Sequence, residues 1–293
     1  MKEFRNQDLK KWNSFKTGGE AEIIYLPESQ KELIALADLL HYNFYVIGSG
    51  TNLLVSDRGI KKPIICTKGL NYYRVKIYNV RTMLKFEITV EPGVLNKTIS
   101  EVALGNSITG FEFLDGIPGT IGGAVYGNSG SGGRSVSKII IEATILSCRN
   151  NITTIKKYGV GESFLGFSRR YSDLQNRGVI LLSAVLEGRK LPMDRILLET
   201  KRLKNIRLDT QPLNLPSAGT VFRNPVYVKE AYPKIKARSK GDAIVSELNP
   251  GFVLNKGNAT SEDIYLLIES VRKETVEIMG KDPELEIQIL GVI

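Results

Sequence analysis

Apolar residues recur along the chain with two periods. Leu84, Phe86, Ile88 and Val90 alternate with Lys85, Glu87 and Thr89, which predicts a half-buried strand stopped by Pro92-Gly93. Ala21–Leu26, Phe44–Ile47, Leu53–Val55, Ile139–Ser147, Val179–Glu187 and Leu285–Ile293 read as further strands, with a turn at Arg149-Asn150-Asn151. Helical spacing begins after Ser29, where Glu32 completes a capping-box pattern, and runs to about Leu40. Asn96–Leu104 reads as a short helix ended by Gly105. The clearest helix follows Thr260, with Asp263 in the capping-box position. Its Ile264, Leu267, Ile268, Val271 and Ile278 fall on one face, and Gly280 closes it. Near Pro192 the character changes to a basic helix, Met193–Arg207, followed by a Pro/Asn/Ser segment, Pro212–Pro225. No internal repeat or low-complexity tract interrupts the pattern.

The chain's 293 residues suggest about two domains at roughly 150 residues each. Charged residues at 24% and hydrophobic ones at 42% exclude a disordered tail, a fibrous repeat and a disulfide-stapled scaffold. Only Cys66 and Cys148 occur, far apart, so no Cys-x-x-Cys or four-ligand zinc site is predicted, and a reducing, cytoplasmic home fits. Met1–Asn13 lacks the apolar core of a signal peptide. No apolar stretch is long enough to span a membrane. His41 is the single histidine and reads as structural, which argues against Ser-His-Asp and Cys-His hydrolases. Proton transfer would then fall to carboxylates, hydroxyls, Lys or Arg. The net charge of +9 has two readings, a nucleic-acid or membrane surface and a small anionic ligand. The basic residues are spread out, and even the cluster Lys201, Arg202, Lys204 and Arg207 reads first as a solvated helix face.

Three segments carry candidate chemistry. Gly48-Ser49-Gly50-Thr51-Asn52 follows a strand and could cradle a phosphate through backbone N–H groups, yet it matches neither the dinucleotide fingerprint nor the P-loop. Taken alone it is as consistent with a tight turn. Gly116 to Gly130 is dense in glycine, which suits close backbone approach to a flat or phosphorylated ligand. The competing reading is a surface loop, but Ile117, Ile121, Ala124 and Val125 favour burial. Ser217 to Pro225 leaves the Thr220 hydroxyl accessible and offers Arg223 and Asn224 as donors. Two weaker spots are Arg169-Arg170 and Glu284-Leu285-Glu286, whose carboxylates would share one strand face.

In this order the segments resemble the UDP-N-acetylenolpyruvoylglucosamine reductase (MurB) family of peptidoglycan precursor synthesis, shorter subclass. The likeness runs from Asn13-Ser14-Phe15-Lys16-Thr17-Gly18-Gly19 through Ile47–Val55, Glu112–Ala124, Thr210-Gln211-Pro212 and Ser217–Pro225 to Phe252–Thr260. It implies an α+β fold: a two-part, oxidase-like, non-Rossmann FAD-binding domain and a C-terminal substrate-binding domain. The implied segments are 1–66 and 67–190 for FAD, 191–282 for substrate, and 283–293 as a strand returning toward the flavin side. FAD would rest on Gly48, Ser49, Gly50, Thr51, Asn52, Leu53, Ile117, Pro118, Gly119, Thr120, Gly122, Gly123, Ala124 and Asn128. Arg207, Gln211, Arg223 and Asn224 would bind the substrate, UDP-N-acetylglucosamine enolpyruvate. NADPH would be the co-substrate, the enzyme a cytoplasmic monomer without metal, nucleic-acid or membrane partners.

The implied reaction passes hydride from NADPH to FAD and from flavin N5 to the enolpyruvyl methylene, giving UDP-N-acetylmuramate. Arg170 would hold the carboxylate, Thr220 would protonate the neighbouring carbon, and Glu286 would complete the set. Departures from the family pattern are Arg169 for Tyr, Thr220 for Ser, Asn249-Pro250-Gly251 for His-Ala-Asn, and Gln288 for Arg. Competing readings are a flavin oxidase of a small alcohol or amine, a family member that holds FAD with impaired turnover, and a nucleic-acid module.

Overall fold

The computed structural model describes residues 1–80, 83–149, 152–159, 165–177 and 179–293, and within these the chain divides into two units. The first comprises 1–3, 25–49 and 65–207; the second comprises 4–24, 50–64 and 208–293.

In the first unit an antiparallel sheet runs in the order Ile152–Gly159, Ile140–Arg149, Ile180–Lys190, Met83–Val90, Tyr73–Val80. Ile108–Thr109 pairs with its Arg189-Lys190 end. The alternation read from the sequence holds at Phe86, Ile88 and Val90, which are buried, while Leu84 is exposed. Adjacent residues on a strand face opposite ways. Ile145 and Leu181 accordingly join the large core with Phe86 and Phe113, whereas Leu146, Ile180 and Leu182 pack with Leu33, Leu36 and Ala37 of the helix Gln30–Leu39. Ser29 caps that helix by accepting from the Glu32 N–H. The expected reciprocal bond is displaced by one residue, since the Glu32 carboxylate accepts from Glu28 N at 2.7 Å. His41 follows the helix with φ of 47°, exposed. The turn expected at Arg149-Asn150-Asn151 falls partly outside the described residues.

The glycine-dense segment of this unit is folded, not a surface loop. Ile121–Tyr126 form a short helix capped by Thr120, with Ile121, Ala124 and Val125 buried. Its backbone docks on the segment before it, Ile121 N donating to Val94 O at 2.8 Å and Gly122 N to Pro92 O at 2.9 Å. A Cβ at Gly122 would stand 2.8 Å from the Pro92 Cβ, so that position requires glycine.

The second unit packs the helices Ser261–Met279 and Pro225–Ala231 over Phe15, Leu54, Val221, Phe222 and Ile287. Both halves of the capping box at Thr260 and Asp263 form, and Gly280 closes the helix at φ of 65°. A three-stranded antiparallel sheet, Ser239–Lys240, Ala243–Val245 and Val253–Asn255, completes that core. The terminal strand is shorter than the expected Leu285–Ile293. It covers Gln288–Leu290 and pairs in parallel with Leu53–Val55. The shortening has local causes: Glu284 takes φ of 51°, Leu285 bridges to Phe222 instead of extending the strand, and Gly291 at φ of 86° ends it. The compact units interleave along the chain.

Candidate functional site

Gly48 and Thr120 are 72 residues apart in sequence, yet in the first unit they touch. A Cβ at Gly48 would stand 2.5 Å from Thr120 Oγ1, which itself accepts from Gly123 N at 3.5 Å. The end of the preceding strand is pinned from behind. Thr67 Oγ1 donates to Ile47 O at 3.2 Å and the Cys66 thiol to Gly48 O at 3.6 Å. Burial pushes the Cys66 thiol up, so it stays protonated and inert as a nucleophile. Asn96 steadies the other glycine segment. Its N–H donates to Gly119 O at 3.0 Å and its Nδ2 to Ile117 O at 3.3 Å. Pro118 and Gly123 stay exposed, bare backbone or ring at the surface of a segment otherwise buried or half-buried. Gly48 of one glycine stretch and Thr120 of the other, both implied by the resemblance to hold the cofactor, therefore meet within the first unit, where small residues suit close backbone approach.

Arg170 sits in a tight turn of the same unit at φ of 56°, between Ser168 and Tyr171, which exchange backbone hydrogen bonds at 3.1 and 3.3 Å. The turn is moored to the end of the glycine-rich helix. Asn128 Nδ2 donates to Ser168 O at 2.7 Å, and Ser172 Oγ and Gln175 Nε2 both donate to Tyr126 O, at 2.7 and 3.0 Å. Asn128 is buried and also accepts from Ser137 N at 3.1 Å, so both ends of its side-chain amide serve to place this turn.

Arg207, on the helix Met193–Thr210, lies against the glycine segment, its Cδ 3.3 Å from where a Gly116 Cβ would be. Burial lowers the proton affinity of its guanidinium and Asp115 pulls the other way. Nearby, buried Glu112 accepts from Arg134 Nη1 at 2.7 Å and from Gly110 N at 2.9 Å. No signal in the sequence singled out this pair.

In the second unit Thr220 Oγ1 donates to Glu286 Oε2 at 3.2 Å. The contact is built by backbone pairing of the two segments. Glu286 N donates to Val221 O at 2.9 Å, Arg223 N to Glu284 O at 2.9 Å and Asn224 N to Pro283 O at 3.0 Å. Val221 N donates in turn to Gly251 O at 2.8 Å. The additional methyl of Thr220 is accommodated, since even a Cβ at Gly251 would lie 3.5 Å from Thr220 Cγ2, an ordinary contact. Glu284 and Glu286 do not share a face as expected. The left-handed Glu284 is exposed and lies 3.7 Å from Arg223 Nη1. Asn224 precedes the helix Pro225–Ala231 without capping it through its side chain, and Gln211 is half-buried. Asn52 belongs to this unit and its Nδ2 donates to Glu286 O at 3.2 Å.

Among the described residues no group of three or more His, Cys, Asp or Glu side chains is disposed to hold a metal ion, and no helix is long and apolar enough to cross a membrane.

Two family models match the chain. The family model for the C-terminal domain of UDP-N-acetylenolpyruvoylglucosamine reductase matches residues 211–290, the stretch that holds Thr220 and Glu286. The model for an FAD binding domain matches residues 21–156, which hold both glycine segments. A UDP-N-acetylenolpyruvoylglucosamine reductase of Caldanaerobacter subterraneus subsp. tengcongensis is 35% identical, the match covering 98% of this chain and 93% of that one. That of Lactococcus lactis subsp. cremoris is 32% identical over 98% of this chain and 94% of its own. The crystal structure of the enzyme from Thermus caldophilus superposes with a TM-score of 0.75 at 25% identity, covering 99% of this chain and 98% of that one.

Proposed function

The chain belongs to the UDP-N-acetylenolpyruvoylglucosamine reductase family, and on that premise we propose that it reduces UDP-N-acetylglucosamine enolpyruvate to UDP-N-acetylmuramate in the cytoplasm, with FAD as cofactor and NADPH as co-substrate. The observation that carries this reading is the hydroxyl of Thr220 set 3.2 Å from the carboxyl of Glu286 within the matched reductase domain.

Gly48 to Leu53 and Ile117 to Ala124 would hold FAD, with Asn128 mooring the Arg170 turn just after the second segment. When bound, FAD supplies the hydride relay from NADPH, through N5, to the enolpyruvyl methylene. The remaining chemistry belongs to side chains of this protein. Negative charge develops on the enolpyruvyl carboxylate system, and the Arg170 guanidinium holds and stabilises it. Thr220 gives its proton to the neighbouring carbon as general acid. A Thr alkoxide is too basic to persist, and Glu286 at hydrogen-bond distance returns the proton. For that role Glu286 must enter the cycle protonated, a state favoured by the substrate carboxylate beside it. Arg207, Gln211, Arg223 and Asn224 supply cations and amides for the diphosphate and sugar. Residues 1–66 and 67–190 are read as the two parts that serve FAD, 191–282 as the part that serves substrate, and 283–293 as the C-terminal segment that carries Glu286.

The test is an anaerobic visible spectrum of the purified protein. NADPH should bleach the yellow flavin and UDP-N-acetylglucosamine enolpyruvate should recolour it. A protein that takes up no FAD, or one that bleaches and never recolours with this substrate, overturns the reading. Fast recolouring by oxygen with indifference to NADPH would favour an oxidase instead.

A further inference from the structure

We propose that Asn52, placed by resemblance among the cofactor-binding residues, is a positioning residue for Glu286. The inference rests on the function proposed above for Glu286, and its structural half can be measured without that function.

Glu286 lies in a gap between two ordered stretches. Before it, Leu285 bridges to Phe222; after it, the parallel ladder starts only at the pair Gln288 and Leu53. Its peptide is held on both sides. The N–H donates to Val221 O at 2.9 Å, and the carbonyl accepts from Asn52 Nδ2 at 3.2 Å. Asn52 makes a second bond to the same strand, its own carbonyl accepting from Gln288 N at 3.0 Å. One residue thus grips the segment at 286 and at 288. The side chain held between these grips is the one that meets Thr220 Oγ1 at 3.2 Å. A carboxyl that must exchange a proton with a hydroxyl depends on placement to a fraction of an ångström, and about 1 Å of displacement costs on the order of a hundredfold in rate. Asn supplies the grip because a short amide reaches a neighbouring carbonyl while its own backbone continues into the strand Leu53–Val55.

Asn52→Leu keeps the branching of the side chain and removes the donor. Hydrogen exchange of the Glu286 and Gln288 amides should speed up by about tenfold, with the helix Ser261–Met279 unchanged. In the half-reactions, recolouring by the enolpyruvyl substrate should slow by about tenfold or more relative to bleaching by NADPH. In a Glu286→Gln background the same change should add less than about twofold, because it acts through the residue already removed. Unchanged exchange at Glu286 and Gln288 overturns the grip. A weakened FAD affinity with both half-reactions slowed alike, or full additivity with Glu286→Gln, overturns the positioning role and makes Asn52 a cofactor ligand. Asn52→Asp, which keeps the shape and lacks the donor, is read in the same way should the leucine variant not fold. Failure of the wild type to recolour would sink the proposed function, while the exchange measurement still decides the grip.

Discussion

Thr220 tests how much one methyl matters beside a reacting hydroxyl. Its β-branch restricts χ1, and the rotamer present already aims Oγ1 at Glu286. The branch therefore pre-sets the hydroxyl, and Gly251 leaves space for the methyl. Thr220→Val removes the hydroxyl at nearly constant volume. Recolouring by the enolpyruvyl substrate should fall by roughly 10²–10⁴, the range for loss of a general acid, while bleaching by NADPH is unaltered. Stopped-flow measurement of the two steps separates them, and an undiminished second step removes Thr220 from the proton path. The hydroxyl itself was legible in the sequence, because small neighbours left it accessible. Its partner's backbone support was not. Glu286 and Asn52 are joined by a bond across 234 positions, and no local pattern announces a side chain that bonds a distant carbonyl. The pair Glu284 and Glu286 misled for a local reason, since alternation assumes an extended backbone and Glu284 adopts φ of 51°.

At the scale of elements, sequence patterns were reliable where one segment supplies all the interactions, and less so where a second segment completes them. The helix after Thr260 forms with its full capping box because both partners lie within one turn. The glycine loop at Gly48 could not be told from a turn, since its reason is Thr120 in another segment. Gly48→Ala puts a Cβ 2.5 Å from Thr120 Oγ1, and relief by rotation surrenders the cap on Gly123 N. The expected cost is about 1–3 kcal/mol, a fall in Tm of roughly 2–8 °C by differential scanning fluorimetry, together with weaker FAD retention. A variant of wild-type Tm and FAD content would show that this contact tolerates a methyl. The segment leading to Glu286 has its own anchor. Arg272 on the long helix meets Asp282 at 2.5 and 2.8 Å, and Asp282 also accepts from Glu284 N at 2.9 Å. The Arg272 guanidinium holds the Asp282 carboxyl below the usual carboxylate range. A carboxylate whose folded value is depressed stabilises the fold above its unfolded value of about 3.9 and loses that contribution as pH falls through the folded value. The pair is partly exposed, so solvent screens it. Asp282→Asn should lower Tm by about 1–3 °C at pH 6, and the gap from wild type should close toward pH 3. A gap that persists in acid would assign the anchor to shape and not to charge.

For the whole molecule, the charge of +9 is the one composition feature that pointed in two directions. Membership of the reductase family and the glycine surface favour the small-anion reading, for both proposed substrates are polyanions that must be captured in turn. Arg207, Arg223 and the other basic side chains then act first as a field and only later as contacts. A field of this sign raises the encounter rate for nucleotides at low ionic strength and fades once the screening length falls from about 30 Å at 0.01 M salt to about 10 Å at 0.1 M. The expectation is that kcat/KM for NADPH and for the UDP-sugar both decline, by roughly an order of magnitude between 0.01 and 0.3 M salt, with kcat nearly constant. The proposed chemical step should be shielded in a way that capture is not, because a proton path from Glu286 through Thr220 would act at hydrogen-bond distance and be insensitive to distant ions. Steady-state kinetics in a salt series decides the matter. A flat kcat/KM for both substrates would return the excess of lysine and arginine to a solvated surface, and a fall in kcat alone would place the charge in the chemistry instead of the approach.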